Sequence, residues 1–537
     1  MESMALSNLF IWSSFLLCFC LSNNANAGNI FIQPPSIAKN SRMAAMEKIA
    51  MIMADAGHNI TYLAHTEYKV PDDFATAGIH VMKYQYPNDK VMYVPPDDMV
   101  QEYISMSIID EMKAFMERGS VTEAYISNNM ENLYTSDLIT RLKETKFDLS
   151  IFDSVDFVLG TLMKKYLDAP TVLWSNAGFE FHCADWLVPL SLSSVPNIFT
   201  GYSNEMTFTE RMYNVYYYIN ERYYMRDWIE MKEHYHKVYA PKIGLNYTKE
   251  KYLFDADLLL VQSNFAYYYP RPLLPNVIPV LGLKDRKANP LASPFKEFVD
   301  GAEHGFIILT FGSMPTGMDV KRREIFASVF ANLKQRVIWR YGGPTPKTLG
   351  NNTMLVKWIP QNDLLSHRNL RVFMTHCGAS GSAEAVYNGV PIIGIPLFYD
   401  QRQHCGILTH RHKMGRLVIF DEVNTELLSD ALDDVLKNPV YKQNALKAQA
   451  LARDQPMSAS QTIKYWAEYV MKHNGADHLK SVPTQELNFF QYYLLDILFS
   501  ILGFAVLVIV MFMSMIRKCF SRNKPKGNNV LTDKKVK

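Results

Sequence analysis

The feature that most restricts the fold of this chain is an uncharged run near its carboxyl end. Residues 497–516 read ILFSILGFAVLVIVMFMSMI, without a single Asp, Glu, Lys or Arg. A helix of this length spans the hydrocarbon core of a bilayer, where open sheets and irregular segments are not tolerated. Tyr492 and Tyr493 precede the run, and their rings suit the membrane interface. We therefore predict a transmembrane helix region over 492–516.

The charges that follow this run predict its orientation. Residues 517–537 hold eight Lys or Arg and one Asp, whereas the whole chain carries a formal charge of +2. Positive residues stay in the cytoplasm, so we expect a single-pass type I protein with a basic cytoplasmic tail and a lumenal body. The body is mildly acidic, which argues against a nucleic-acid partner. The ending Lys534-Lys535-Val536-Lys537 resembles a dilysine signal for the endoplasmic reticulum membrane; alternatively, the tail lies against membrane lipid.

The amino terminus and three sequons also indicate a secretory origin. Residues 9–22 form an apolar run before Ala25-Asn26-Ala27, so we predict a signal peptide over 1–27. An anchor or a buried helix is the alternative, but the run is too short to span a bilayer. A lumenal body is expected to be glycosylated at its Asn-x-Thr sequons, which begin at Asn59, Asn246 and Asn351.

Few cysteines remain in the predicted body, namely Cys183, Cys377 and Cys405. One disulfide is compatible with this number, but the sequence does not choose the pair. Their spacing does not match zinc ligands, so no metal is expected. No GxGxxG follows the first strand, and no Walker loop, HExxH or GxSxG motif occurs. These absences argue against a classical dinucleotide site, a P-loop site and the common hydrolase sites.

Apolar strands alternate with helical segments in two series along the body. The first series opens with strand 29–33 (NIFIQ) and helix 42–56, and the second opens with strand 305–311 (GFIILTF) and helix 319–333. Repeated β-α-β units build parallel sheets that carry helices on both faces. The pattern therefore predicts two doubly wound α/β domains.

A Pro-rich stretch over 270–294 marks the predicted boundary. We place an N-terminal α/β domain at 28–282, a linker at 283–300 and a C-terminal α/β domain with closing helices at 301–486. Ligands of such sheets bind beyond the carboxyl ends of the strands, in this case in the cleft between the domains. The Tyr-rich segment 203–240 is predicted as an amphipathic helical insertion packed on the sheet, with the wall of an aromatic pocket as the alternative.

The densest group of chemically capable residues lies between positions 355 and 404. Trp358 offers a flat face on which a base can stack, and Glu384 is placed to accept two ribose hydroxyls. Small residues after His376 let the N–H groups that open a helix approach a diphosphate. Each residue alone has a structural explanation, but together they fit a nucleotide-sugar. Further polar contacts are expected from Ser313, Gln361, Asn362, Gly378, Ser380, Asp400 and Gln401.

The order W-x-P-Q-N-D-L-L, T-H-x-G, Glu, G-V-P, P-L-F and D-Q closely resembles the donor signature of the membrane-bound UDP-glycosyltransferases, the UDP-glucuronosyl and UDP-glucosyl transferases. The resemblance implies a GT-B fold, in which two Rossmann-like domains face each other across a cleft. The N-terminal half would bind an acceptor, and the C-terminal half would bind UDP-sugar. UDP-sugar is a co-substrate, so the resemblance implies no cofactor. The implied roles are uracil stacking by Trp358, diphosphate binding by Ser313 and His376, ribose binding by Glu384, and sugar contacts by Asp400 and Gln401.

Three positions depart from the family pattern. Cys377 stands where Gly is commoner and is interpreted as a tolerated small residue rather than a nucleophile, and Ser380 stands where Asn or His is frequent. Arg42 occupies the place of the histidine that family members use as catalytic base. Arginine stays protonated and cannot serve as that base. The Asp that orients the histidine in the family is retained as Asp153.

We expect a glycosyltransferase that moves a hexosyl or glucuronosyl group from UDP-sugar to a small lipophilic acceptor, in a conjugation of the detoxification type. Inversion is implied by the resemblance. Arg42 leaves three interpretations open. The acceptors need no base, as with amines or ionised phenols and acids; Asp153 pairs with Arg42 or is itself the base; or the protein is a weak or silent UDP-sugar- or lipophile-binding protein or partner subunit. Homo- or hetero-oligomers with relatives also stay open.

Overall fold

The computed structural model describes residues 27–35, 41–85, 102–117, 119–180, 191–249, 254–283, 288–312, 318–480 and 487–522. The predicted signal peptide up to residue 26, Cys183, Ser313 and the tail from residue 523 lie outside this part of the chain. The chain divides into two units, Met1–Lys480 and Ser481–Lys537.

Two sheets of buried, mostly apolar strands form the framework of the first unit. Every strand pairing described is parallel, as the two series of β-α-β units predict. The strands are β1 Asn29–Gln33, β2 Asn59–His65, β3 His80–Tyr84, β4 Leu149–Asp153, β5 Thr171–Ser175, β6 Leu258–Val261, β7 Val277–Pro279, β8 Phe306–Thr310, β9 Arg336–Arg340, β10 Thr353–Val356, β11 Leu370–Thr375, β12 Ile392–Gly394 and β13 Gly415–Leu417.

The two sheets share one doubly wound topology. The first has the order β3-β2-β1-β4-β5-β6-β7 and the second the order β10-β9-β8-β11-β12-β13. In each sheet the direction of winding reverses beside the first strand of the series, between β1 and β4 and between β8 and β11. Such a reversal leaves a crevice at the carboxyl ends of the two central strands, where ligands bind.

Amphipathic helices cover both sheets. The first one, predicted at 42–56, buries Met46, Ile49 and Met53 and is followed by Gly57 at φ +92°, which ends it. The helices of the first unit are α1 Ser41–Asp55, α2 Asp72–Thr76, α3 Ile108–Glu117, α4 Gly119–Tyr134, α5 Asp137–Lys143, α6 Phe157–Leu167, α7 Phe208–Tyr239, α8 Phe295–Asp300, α9 Val320–Ala331, α10 Gln361–Leu365, α11 Ala379–Tyr387, α12 Asp400–Gly406, α13 Thr425–Lys437, α14 Pro439–Arg453 and α15 Ala459–His473.

The helix predicted within 203–240 is α7, a helix of 32 residues that Thr207 and Glu210 cap at its start. Its main neighbours are helices α3, α4 and α6 rather than the strands of the sheet. Its other side exposes Phe208, Tyr216 and Tyr223.

The last helix of the first unit returns to the first sheet. Helix α15 packs on α1, and its buried Ile463 and Val470 share an apolar cluster with Met46 and Ile49. A capping box formed by Ser458 and Gln461 fixes the start of α15. The closing helices predicted for the C-terminal domain therefore end on the N-terminal one.

The second unit contains α16 Phe489–Tyr492 and α17 Leu495–Arg522. Within the described residues, Leu495–Phe520 is the helix long and apolar enough to cross a membrane, and it contains the predicted run 497–516.

Candidate active site

Part of the predicted site lies at the winding reversals of the two sheets. In the first sheet, Asp153 ends β4, and Arg42 lies in the first turn of α1, which follows β1. In the second sheet, Gly312 follows β8 and His376 follows β11, and these two strands pair up to Thr310 and Thr375. The topology therefore explains why residues far apart in sequence meet.

Arg42 is held between two buried carboxylates. Its Nη1 donates to Asp153 Oδ1 at 2.9 Å, and its Nη2 donates to Glu180 Oε1. The side chain of Arg42 is 12% exposed, and both carboxylates are fully buried. Burial opposes the charge, but Asp153, Tyr399 and Asp400 outweigh it and raise the pKa of Arg42. Arg42 is thus a permanent cation in a group that also holds two acidic side chains.

Asp153 is also held by the backbone, since its Oδ1 accepts from the N–H of Val155 at 3.0 Å. Its Oδ2 is buried and makes no hydrogen bond to any residue that the structure describes. Burial raises the pKa of Asp153, although Arg42 acts in the opposite direction. Of the interpretations left open for Asp153, the ion pair with Arg42 is present.

Glu180 is a member of the site that sequence reasoning missed. Its Oε2 accepts from Ser154 Oγ at 2.9 Å and from Ser175 Oγ at 2.7 Å, and its Oε1 accepts from Arg42. No motif surrounds Glu180. The available signal was its place shortly after β5, the strand beside β4, since side chains beyond neighbouring strands reach the same edge of a parallel sheet.

On the second sheet, the ring of His376 lies between two glycines. A Cβ added to Gly312 or to Gly378 would lie 2.5 Å from His376 Nε2, so larger residues would displace the ring. Gly312 also has φ +82°, which favours glycine. Burial, aided by Arg340 and His404, lowers the pKa of His376 to about 4, so the ring is neutral at pH 7. Helix α11 begins just after Gly378 and presents its first N–H groups there.

Trp358 exposes 70% of its surface, which leaves a ring face open to a ligand. The guanidinium of Arg340 lies 5.8 Å from the centre of that ring and donates to the carbonyl of Gly312. Arg340 is the second residue that sequence reasoning missed. It ends β9, the strand beside β8, and therefore joins the tryptophan to the histidine region.

Glu384 and its neighbours line an open cleft between the two sheets. Glu384 Oε2 accepts from Gln361 Nε2 at 2.7 Å, which orients the carboxylate. The lining combines residues of both halves: Gln262, Gly282, Leu283, Asn362, Ser380, Ala383, Glu384 and Tyr387. The structure thus brings Asn362, Ser380 and Glu384 together.

Asp400 and Gln401 open helix α12. Gln401 Oε1 accepts from the N–H groups of Leu397 and Phe398 at 2.9 and 3.3 Å, which leaves its amide nitrogen as the group able to donate to a ligand. Burial raises the pKa of Asp400 to about 7, although Arg42 acts against this. His404 Nε2 lies 3.5 Å from Asp400 Oδ2, but burial lowers the pKa of His404 to about 4 and leaves the ring neutral.

Cys377 is bonded to Cys405, with Cα atoms 5.3 Å apart. The sequence allowed one disulfide among three cysteines without choosing the pair. Its interpretation of Cys377 as a tolerated small residue was wrong, because the side chain forms a crosslink. Gly394 makes room for it, since a Cβ there would lie 2.6 Å from Cys405 Sγ. The disulfide joins the turn before α11 to the end of α12.

The remaining predicted residues lie apart from this site. The sequon residues Asn59, Asn246 and Asn351 are exposed. In the part of the chain that the structure describes, no three His, Cys, Asp or Glu side chains are grouped as metal ligands.

Comparison of the sequence with known proteins identifies the family of this chain. The family described as "UDP-glucoronosyl and UDP-glucosyl transferase" matches residues 35–529. UDP-glucuronosyltransferase 2B9 of Macaca fascicularis is 32% identical over 543 residues, which cover 97% of this chain and 99% of the relative. UDP-glucuronosyltransferase 2B7 of Homo sapiens is 30% identical over 548 residues, which cover 96% and 99%.

Solved structures share the fold. A UDP-glucosyltransferase from Polygonum tinctorium, capable of glucosylating indoxyl, superposes with a TM-score of 0.55 at 15% identity, over 83% of this chain and 99% of that chain. UDP-glucose: anthocyanidin 3-O-glucosyltransferase in complex with UDP gives a TM-score of 0.54 at 16% identity, over 83% and 99%. The chain therefore belongs to the UDP-glucuronosyl and UDP-glucosyl transferase family and is a membrane-anchored glycosyltransferase with the GT-B fold.

Proposed function

We propose that this enzyme transfers a hexosyl or glucuronosyl group from UDP-sugar to the nitrogen of a small lipophilic amine. The observation that carries the proposal is the ion-paired group of Arg42, Asp153 and Glu180. A permanent cation stands where a base is needed, and it is already paired with two carboxylates. The group therefore offers little attraction to ionised phenols or acids, whereas a nitrogen that becomes positive as it reacts is favoured by the excess of carboxylate.

The reaction needs no base before its bond-making step. The lone pair of a neutral amine attacks the anomeric carbon as the bond to the UDP oxygen breaks, and UDP leaves with that electron pair. A single displacement inverts the anomeric carbon. The ammonium product then loses its proton to solvent. A hydroxyl acceptor would lack general-base help, which is worth about 10²–10⁴-fold in rate.

The donor roles follow the residues of the second sheet. Trp358 would stack on the uracil, with Arg340 beside it, and Glu384 would bind the ribose in the orientation that Gln361 sets. His376 and the N–H groups that open α11 would bind the diphosphate. Ser313 would add a phosphate contact, and Asp400 and Gln401 would bind the sugar.

We also propose the cellular setting that the sequence predicts. The protein would be a single-pass type I protein of the endoplasmic reticulum membrane, with its signal peptide cut after Ala27 and its body in the lumen. The Cys377–Cys405 disulfide supports an oxidising compartment. The exposed sequon residues support glycosylation at Asn59, Asn246 and Asn351.

An acceptor panel tests the proposed activity. Microsomes containing the protein would be incubated with radiolabelled UDP-glucose or UDP-glucuronate and with amine and phenol pairs of equal shape, such as 4-propylaniline and 4-propylphenol. We expect conjugates of the amines. Rapid conjugation of the phenols would contradict the proposal, and no conjugate from either donor would favour the silent binding protein, which the pairing of Arg42 with both carboxylates also fits.

A pair of variants tests whether Arg42 occupies the position of the catalytic base. In Arg42→His, the neighbouring Asp153 and Glu180 would raise the pKa of the new imidazole and keep it protonated at pH 7. Arg42→His combined with Glu180→Gln removes one of these charges, so the double variant is expected to conjugate phenols faster than either single variant. Glu180→Gln alone is the matched control. Equal phenol rates in all three would contradict the assignment of Arg42 to the base position.

A further inference from the structure

A carboxylate of the acceptor half holds the segment that carries Asp400 and Gln401. Glu111 lies on α3, and only 1% of its side chain is exposed. Its Oε1 accepts from the backbone N–H of Tyr399 at 2.6 Å, and its Oε2 accepts from Arg402 Nη1. The bonded residues are 288 and 291 positions apart in the sequence. Asp400 and Gln401 lie between the two residues that Glu111 holds, Tyr399 and Arg402.

The bracketed segment has a backbone that needs support. Tyr399 has φ +54° and ψ −130°, a conformation that residues other than glycine avoid. Its N–H is the group that Glu111 accepts from, so the hydrogen bond stabilises the strained residue directly. The first half supports the same segment by ring contacts, since Tyr103 lies 5.7 Å from Phe398 and Phe199 lies 5.2 Å from Tyr399.

The rest of α12 is fixed by other groups. Gln403 Nε2 donates to the carbonyl of Pro196 at 2.8 Å, and His404 Nδ1 lies 3.0 Å from the hydroxyl of Tyr267. The disulfide at Cys405 holds the helix from the donor half. Loss of Glu111 would therefore release the first turn of α12 without detaching the helix.

We propose that Glu111 is a positioning residue for the sugar portion of the donor. It sets the place of Asp400 and Gln401 from the acceptor half, whereas the groups assigned to UDP, such as Trp358, His376 and Glu384, all belong to the donor half. Affinity for the sugar then depends on the contacts that Glu111 makes with the other half, and affinity for UDP does not depend on these contacts. The inference rests on the proposed function only in assigning Asp400 and Gln401 to the sugar.

Equilibrium binding measures the affinities for UDP and for UDP-sugar separately, and it does not depend on catalytic turnover. Calorimetry on the purified full-length protein in detergent would compare UDP, UDP-glucose and UDP-glucuronate as ligands of the wild type, Glu111→Ala and Glu111→Gln. In Glu111→Ala we expect the Kd of the tighter-binding UDP-sugar to rise at least tenfold and the Kd of UDP to change less than twofold. Glu111→Gln, which still accepts from the Tyr399 N–H, should give an intermediate loss. Asp110→Asn, an exposed neighbour on the same helix, should change neither Kd.

The outcomes decide the inference. Equal weakening of UDP and UDP-sugar by Glu111→Ala, or no weakening of either, would overturn it. If Glu111→Ala does not fold, Arg402→Gln and its combination with Glu111→Gln replace it. Non-additive losses confined to UDP-sugar would then support the inference, and additive ones would overturn it. A wild type that binds UDP but no UDP-sugar would contradict the sugar assignment, and with it the proposed function.

Discussion

At the residue scale, the charges of three largely buried side chains of the first half constrain each other. Arg42, Asp153 and Glu180 are all taken out of water, and removing one partner of a buried ion pair costs about 3–5 kcal/mol because the other charge is left unpaired. The two carboxylates therefore need Arg42 to balance their charge, and Arg42 needs the carboxylates for the same reason. This mutual dependence explains why variants at Arg42 are best made together with a change at Glu180.

Asp400 is an acidic group of the site whose charge is expected to change near neutral pH. Burial raises its pKa to about 7, so the carboxyl is mainly neutral at pH 6 and mainly ionised at pH 8. Beside it, Arg42 stays cationic and His404 stays neutral over this range. Burial raises the pKa of Tyr267 and of Tyr268, so both hydroxyls also stay neutral. Glucuronate carries a carboxylate and glucose does not. We therefore expect binding of UDP-glucuronate relative to UDP-glucose to fall several-fold from pH 6 to pH 8.

The measurement is the ratio of the two Kd values at pH 6, 7 and 8. Asp400→Asn provides the matched control, because it keeps the shape of the side chain and removes its titration. A ratio that changes with pH equally in the wild type and in Asp400→Asn would exclude Asp400 as the cause.

At the element scale, the Cys377–Cys405 disulfide ties helix α11, which opens at the proposed diphosphate site, to helix α12, which opens at the proposed sugar site. We expect Cys405→Ala to lower the unfolding temperature of the body and to weaken UDP-sugar binding. A bridge across 28 residues is worth about 3–4 kcal/mol by the loop-entropy estimate.

Differential scanning calorimetry and donor binding would be compared with those of Cys519→Ala, which removes a cysteine that is free in the structure. Peptide mapping without reduction would identify the bridged pair. Free thiols at Cys377 and Cys405 in the native protein, or an unchanged unfolding temperature in Cys405→Ala, would contradict the prediction.

The elements differ in how far sequence alone could predict them. Strand β1 and helix α1 follow from a short apolar run and a helical repeat, because local periodicity determines both. Three cysteines give three possible pairs, and only the fold brings Cys377 to Cys405. Glu180 has no motif, and its role depends on the two strands that carry Asp153 and Ser175 being neighbours. The apolar stripe of α15 could pack on either sheet. Its packing on α1 is determined by the tertiary structure and could not be predicted from the stripe alone.

At the scale of the whole molecule, the two halves of the first unit are joined by more than the linker. One apolar cluster contains Phe179 and Tyr268 from the first half together with Tyr387 and Ile407 from the second. Helix α15 adds a second connection, because it follows the second half in sequence and packs on the first half. The halves are therefore expected to depend on each other for stability, although each has its own sheet.

Two truncations test this dependence. A chain that ends at Lys480 keeps the whole first unit and loses the apolar helix Leu495–Arg522, so we expect it to be secreted in soluble form and to bind UDP as tightly as the full chain. A chain that ends at Arg453 also loses α15 and exposes the α1 face around Met46 and Ile49. Buried Ile463 and Val470 alone are worth about 1.5–3 kcal/mol each, so this shorter chain should aggregate or be retained in the cell. Secretion of both with equal UDP affinity would show that α15 is dispensable, and retention of both would show that the first unit requires the segment beyond Lys480.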